Sequence, residues 1–74
     1  GANYRAAQRA KSTADFINKL KIVEEETDEY LYFLEVLKSI HPSYTNQINI
    51  LHTEGEEILK IIVSIINKSR NRTS

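Results

Sequence analysis

The feature that most constrains the fold is a repeating pattern of apolar side chains between residues 16 and 37. Apolar residues, with one threonine, recur there at alternating spacings of four and three: Phe16, Leu20, Val23, Thr27, Tyr30, Leu34 and Leu37. This spacing places them on one stripe of an α-helix. A second series, with one glycine, repeats the alternation after the single proline: Tyr44, Ile48, Leu51, Gly55, Ile58, Ile62 and Ile65. The sequence therefore predicts two long helices that pack along these stripes.

Start and stop signals divide the 74-residue chain into the helices of a single domain. Ser12 can cap a helix start and Asp15 places a negative charge in its first turn, which predicts a break or a kink there. Pro42 ends the first long helix because the residue before a proline avoids the helical region, and Ser43 can cap the next helix. The predicted elements are a short helix over about 2–11, long helices over about 13–38 and about 44–68, and a disordered basic tail over about 69–74.

The short connection predicts that the two long helices are antiparallel neighbours. The predicted fold class is therefore all-α, with an antiparallel helical bundle in which a short helix precedes two long ones. Gly55 lies in the middle of the second stripe, where glycine costs about 1 kcal/mol relative to alanine. We interpret it as a site of close helix packing, with a functional hinge as the alternative.

Apolar side chains also extend beyond the two stripes. Between residues 58 and 66 they cover an arc of about 200° around the second helix at about 100° per residue. A helix with one neighbour buries a strip nearer about 100°, so a further helix, from another copy or another part of the chain, is expected to cover the excess. The predicted oligomer interface consists of Ile22, Phe33, Val36, Ile40, Leu59, Ile61, Val63 and Ile66. Replacing Ile62 by Asp is expected to dissociate the assembly or to prevent folding.

Charge is unevenly distributed, although ten basic and ten acidic side chains give a formal net charge of zero. The first 21 residues carry a net charge of +4, and six acidic residues follow by residue 35. Three interpretations fit this pattern: a solvated surface, docking of the basic end of one copy on the acidic middle of another, and an anionic partner. The candidate contacts to RNA or DNA are Arg5, Arg9, Lys11, Lys19 and Lys21, and Tyr4 is a candidate for base stacking.

The residue types needed for catalysis or metal binding do not occur at suitable spacings. The chain has no cysteine, which excludes disulfides and thiolate zinc sites and is typical of a cytoplasmic protein. Neither His41 nor His52 has a glutamate three residues before it, as a di-iron bundle needs. His52 is predicted to lie near Glu56, either on the surface or beside the apolar stripe. No apolar run is long enough for a transmembrane helix. We therefore predict a non-enzymatic protein with no catalytic residues, metal, cofactor, small-molecule substrate or membrane association.

Two blocks of the sequence are similar to those of a known family. The first reads Gly-Ala-Asn-Tyr-Arg-Ala-Ala from Gly1 to Ala7 and continues to Leu20, and the second reads Glu-Tyr-Leu-Tyr-Phe-Leu-Glu from Glu29 to Glu35. In these blocks the chain resembles the bacterial four-helix-bundle family, whose members include proteins encoded within intervening sequences of large-subunit ribosomal RNA genes. In that family a long first helix precedes the Gly-Ala-Asn motif.

The resemblance implies an up-and-down four-helix bundle that is truncated here, because this chain begins at the Gly-Ala-Asn motif. It also implies a homo-oligomer, since other members of the family form ring-shaped pentamers. A related accessory protein of diversity-generating retroelements works with a reverse transcriptase and nucleic acid, which implies RNA or DNA as a partner. The resemblance implies no catalytic residues.

Overall fold

The protein consists of two long helices joined by a short turn. The computed structural model describes residues 2–73, except for the side chains at positions 2, 4, 6, 72 and 73. Helix α1 spans Ala2–Ile40, a 3-10 turn spans Pro42–Tyr44, and helix α2 spans Thr45–Thr73. All elements within this described range are helical. The predicted all-α fold class and the two long helices are confirmed.

Helix α1 is continuous through Ser12, where the sequence predicts a break or a kink. The hydroxyl of Thr13 donates a hydrogen bond of 2.9 Å to the carbonyl of Arg9, as a threonine inside a helix does. No glycine or proline occurs between residues 2 and 40, and alanine favours helix near the start. The predicted short helix is therefore the first part of α1. Helix α2 likewise continues to Thr73 through the predicted disordered tail, of which position 74 lies outside the described residues.

The connection between the helices follows from the position of Pro42. His41 has φ −128° and ψ 75°, a conformation outside the helical region, as is expected before a proline. Its backbone N–H donates to the carbonyl of Leu37 at 2.8 Å, which closes the last turn of α1. Helix α2 begins at Thr45, within one residue of the predicted start at about 44, and Ser43, the predicted cap, lies in the 3-10 turn. The Thr45 hydroxyl donates to the Pro42 carbonyl at 2.6 Å.

The two helices lie side by side and form a rod of 62 × 15 × 14 Å. Three contacts define their relative direction: Lys38 with Asn49, Glu35 with His52, and Leu31 with Gly55. Residue numbers fall along α1 as they rise along α2 at these contacts, so the two helices run in opposite directions. Helix α1 has 39 residues and α2 has 29. The N-terminal part of α1 therefore extends by about 15 Å beyond the end of α2.

The buried core lies between the helices and is thin. Five apolar side chains form it among the described residues: Leu31, Leu34, Ile48, Ile62 and Ile66. Partly buried side chains continue the same stripe on both helices, and they include the polar residues Glu24 and His52. The inner stripe of each helix is therefore only partly apolar.

The inner stripe differs from the predicted one by a rotation of about 50° around each helix. The shared members are Leu20, Thr27, Leu34, Ile48, Gly55 and Ile62. The members between them differ by one position. On α1 the observed stripe contains Ile17, Glu24 and Leu31 in place of Phe16, Val23 and Tyr30. On α2 it contains His52, Leu59 and Ile66 in place of Leu51, Ile58 and Ile65. Both stripes have the alternating spacing of four and three, so the spacing alone does not choose between them.

Gly55 allows the helices to approach closely near the middle of α2. A Cβ atom at this position would lie 2.6 Å from Cδ2 of Leu31 and 3.3 Å from Cε2 of Tyr30. The first distance is too short for two carbon atoms, so the Leu31 side chain would have to move. The prediction of close packing at Gly55 is confirmed.

Candidate interaction surface

Every seventh residue from position 16 to position 65 is apolar, and the structure leaves most of these side chains exposed. We call this set the apolar flank: Phe16, Val23, Tyr30, Leu37, Tyr44, Leu51, Ile58 and Ile65. Leu37 and Ile65 are partly buried, and the other six are 42% to 57% exposed. Residues seven apart drift by only about 20° around a helix. Each helix therefore carries an apolar line beside its inner stripe.

The other side of the hairpin is polar, and His52 connects the two helices there. Nε2 of His52 lies 3.4 Å from Oε1 of Glu35 on α1, and its Nδ1 lies 2.9 Å from Oε1 of Glu56 on α2. Lys38 and Asn49 line the same open depression, which has a volume of about 360 Å³. We call this side, with these five residues, the polar flank. The prediction that His52 lies near Glu56 is confirmed.

The apolar lines of α1 and α2 lie together on the side opposite the polar flank. At about 100° per residue, Glu35 and Leu37 lie about 80° to either side of the inner stripe of α1. Glu56 and Ile58 are placed in the same way about the inner stripe of α2, by the same arithmetic. Because Glu35 and Glu56 both meet His52, Leu37 and Ile58 share the opposite side. The apolar flank is therefore a face two helices wide.

The residues predicted for the oligomer interface fall into three groups. Five are exposed: Ile22, Phe33, Ile40, Ile61 and Val63. Of these, Phe33, Ile40 and Ile61 follow the apolar flank on its outer edge by their helical positions. Val36 and Leu59 are partly buried. Ile66 is only 4% exposed and lies in the core of the hairpin, because the inner stripe is rotated towards it, so we remove it from the candidate surface.

The hairpin brings basic residues from both ends of the chain to one end of the rod. The predicted nucleic-acid contacts Arg5, Arg9, Lys11, Lys19 and Lys21 are exposed on α1. Ser69 of α2 and Ser12 of α1 line one shallow depression, so Lys68 and Arg70 are carried to the same end. We call these seven basic residues the basic end. The side chain of Tyr4, the candidate for base stacking, lies outside the described residues.

The charge of the rod changes sign along its length. At the basic end, seven basic side chains are accompanied by Asp15 alone. Between residues 22 and 65, nine acidic side chains are accompanied by Lys38 and Lys60. The described side chains thus carry a formal charge of +6 over the half of the rod away from the turn and −7 over the half that contains the turn. The formal net charge is zero, but the positive and negative charges lie on different parts of the molecule.

The sequence prediction places the apolar flank inside the hairpin and does not include it in the interface. The signal that distinguishes the apolar flank from the inner stripe is that every seventh residue from Phe16 to Ile65 is apolar. Residues one position later, such as Ile17 and Leu31, also alternate with the shared members of the stripe. Each helix thus has two overlapping stripes, and the pattern indicates that one of them remains for another contact.

No group of three or more histidine and carboxylate side chains is placed to hold a metal ion in the part of the chain that the structure describes. Nor does either helix, over its described residues, contain a segment long and apolar enough to cross a membrane. The chain matches no family model, and neither a curated protein nor a solved structure is significantly similar to it. The apolar flank and the basic end are therefore the features from which function is inferred.

Proposed function

We propose that this chain is a non-enzymatic helical scaffold protein that self-associates through the apolar flank. The observation that supports this function is that Glu24 and His52 are partly buried on the inner stripe while Tyr30, Leu51 and Ile58 remain exposed. A rotation of each helix by about 50° would replace Glu24 and His52 on the inner stripe by Val23 and Leu51. The apolar residues Leu31, Leu59 and Ile66 would be replaced by other apolar residues, so the inner stripe would become more apolar in total. A helix pair that buries apolar surface only within itself would gain from that rotation. The observed packing instead leaves the apolar flank exposed, where a partner could cover it.

The size of the core supports the same function. The five buried side chains of the described hairpin form a small core for a chain of 74 residues. Domains of this size bury a small share of their surface and frequently depend on oligomerisation for stability. Covering the apolar flank would enlarge the core on one side without changing the hairpin.

In such an assembly the hairpin supplies two helices of an antiparallel, up-and-down four-helix bundle, and other copies supply the remaining helices. The resemblance of the sequence to the bacterial four-helix-bundle family supports a homo-oligomer of this kind. The cysteine-free composition supports a cytoplasmic location.

Ile58→Asp tests self-association, with Tyr32→Asp as the matched control. Ile58 is 52% exposed on the apolar flank, whereas Tyr32 is 67% exposed and lies about 140° away from the flank around α1. Light scattering at micromolar concentration is expected to show an assembly for the native chain and for Tyr32→Asp. Ile58→Asp is expected to be monomeric, because it would bury an unpaired charge in the contact.

Ile62→Asp is not suitable for this test, although the sequence suggests it. Ile62 is 6% exposed in the core of the hairpin, so a charge there is expected to unfold the chain itself. Circular dichroism separates unfolding from dissociation. If Ile58→Asp loses helix content together with assembly while Tyr32→Asp keeps both, folding and association are coupled, which also supports the proposal. A folded native monomer, or an Ile58→Asp chain that assembles normally, contradicts it.

A second candidate function is the binding of RNA or DNA at the basic end. The observation that favours it is that Ser12 and Ser69 line one depression, which places Lys11 of α1 near Lys68 and Arg70 of α2. Arg5 and Arg9 continue the row of basic residues along α1 beyond this point. Basic side chains from two helices can contact several phosphates at once, and phosphate contacts dominate the affinity of proteins for nucleic acids. The two functions are compatible, since a scaffold can present several basic ends to one nucleic acid.

A further inference from the structure

The spacing of the apolar flank makes it complementary to itself. Tyr30 and Ile58 lie at about the same level of the rod, since Tyr30 contacts the position where Gly55 would carry a Cβ atom. A two-fold axis through this level, perpendicular to the rod, places Val23 opposite Leu37 of a second copy. On α2 the same axis places Leu51 opposite Ile65 of the second copy. All of these residues are seven apart, so both helices match in one register.

A second orientation also covers the apolar flank. If the two-fold axis is parallel to the rod, the turns of both copies lie at the same end, and α1 of one copy faces α2 of the other. Val23 then lies opposite Ile65 of the second copy, and Leu37 lies opposite Leu51. Apolar contact alone therefore permits two arrangements of the pair.

Charge distinguishes the two orientations. With the turns at the same end, the basic ends of the two copies, each with a charge of +6, lie next to each other. With the turns at opposite ends, the basic ends lie at opposite ends of the pair, and residues 16–21 of each copy lie beside the turn of the other. The acidic parts face each other in both arrangements and do not discriminate. Because charges interact over about 8 Å at physiological salt, the basic ends repel each other strongly only when the turns lie at the same end.

We propose that two copies pair through the apolar flank with their turns at opposite ends. This inference rests on the proposed self-association and adds the identity and orientation of the partner. The flank extends from Phe16 to the end of α1 at Ile40, which is about 36 Å at about 1.5 Å per residue. The hairpin is 15 Å wide, so the face measures roughly 540 Å² per copy. Two such faces bury about 1,100 Å² in total, just above the size of about 1,000 Å² that a specific interface needs.

Cross-linking with engineered cysteines tests the orientation, because the chain has no cysteine of its own. Single variants Val23→Cys, Leu37→Cys, Leu51→Cys and Ile65→Cys are mixed in pairs and oxidised mildly. A disulfide needs Cα atoms within about 7 Å, so only facing positions react efficiently. We expect the Val23→Cys with Leu37→Cys mixture, and the Leu51→Cys with Ile65→Cys mixture, to give linked heterodimers as the main products.

The controls separate a wrong orientation from a wrong function. Tyr32→Cys, outside the flank, measures the background of random collisions. Main products from Val23→Cys with Ile65→Cys and from Leu37→Cys with Leu51→Cys, in a chain that light scattering shows to be assembled, would overturn the orientation and leave self-association intact. A native chain that is monomeric in light scattering would overturn both. High salt screens the basic ends, so it is expected to reduce the excess of the first pair of products over the second.

Discussion

At the scale of single residues, Gly55 determines how closely the two helices approach. Glycine inside a helix is unfavourable by about 1 kcal/mol relative to alanine. Glycine is nevertheless favoured at position 55, because a Cβ atom there would lie 2.6 Å from the buried side chain of Leu31. The Tyr30 ring, at 3.3 Å from the same point, is 42% exposed and has room to move. Leu31 is therefore the side chain that decides the outcome of a substitution.

We predict that the effect of Gly55→Ala on stability changes sign with the residue at position 31. In the native chain, overpacking against Leu31 costs about 1–3 kcal/mol and the gain in helix propensity is about 1 kcal/mol, so Gly55→Ala is expected to destabilise by up to about 2 kcal/mol. In a Leu31→Ala background the obstructing methyl group is absent, so Gly55→Ala is expected to stabilise by up to about 1 kcal/mol. Urea unfolding at one protein concentration measures both effects. Equal effects in the two backgrounds would show that Leu31 does not limit the approach of the helices.

At the scale of the elements, the main finding is that α1 is one helix of 39 residues. The sequence carries a plausible start signal at Ser12, but the residues before it are also good helix formers. Thr13 donates back to the Arg9 carbonyl, which is the hydrogen bond of a residue inside a helix and not of a cap. The first turns of α1 therefore extend the rod and carry Arg5 and Arg9 beyond the end of α2.

Substitutions of Ser12 distinguish a continuous helix from a capped one. Inside a helix, Ser12→Ala is expected to stabilise and Ser12→Gly to destabilise, each by about 0.5 kcal/mol. At a cap, alanine would instead destabilise by about 1 kcal/mol and glycine by only a few tenths. Helix content by circular dichroism and amide exchange over residues 2–11 measure the effect. Ser64→Ala, at an exposed position inside α2, provides the reference for the gain of alanine over serine.

At the scale of the whole molecule, folding places the basic segments together and apart from the acidic segment that lies between them in the sequence. The two ends of the chain are basic and its middle is acidic. A hairpin superimposes the two ends, so the basic segments add while the acidic middle forms the rest of the rod. The resulting polarity has two consequences: it orients a pair of copies, and it concentrates positive charge where an anionic partner would bind.

For the basic end we predict a nucleic-acid affinity that falls steeply with salt. The logarithm of the association constant is expected to fall with the logarithm of salt concentration by about 0.9 per phosphate contacted on duplex DNA. Lys68→Gln is expected to reduce that slope by about 0.9 if Lys68 contacts a phosphate. Lys38→Gln, near the turn, serves as the control and is expected to leave the slope unchanged. The absence of RNA or DNA binding at about 50 mM salt would argue against this second function.

Local signals in the sequence predicted much of the fold because their physical causes are local. The spacing of apolar residues predicted two long helices, and Pro42 predicted the connection, where His41 has the expected conformation. Gly55 predicted close packing because glycine inside a helix needs a compensating reason. The break at Ser12 was predicted wrongly, since the residues before it are also good helix formers and the neighbouring Thr13 makes the hydrogen bond of a residue inside a helix.

The sequence by itself determined the two long helices, their connection and the amount of apolar surface, because backbone preferences are set by neighbouring residues and the apolar content is set by composition. Only the tertiary structure decided which of two overlapping stripes is buried. That choice depends on how Leu31 fits against Gly55 and on where Glu35, His52 and Glu56 meet, and these contacts join residues far apart in the chain. A rotation of about 50° costs nothing in local helix geometry. It nevertheless exchanges the interior of the hairpin for the apolar flank, on which the proposed function depends.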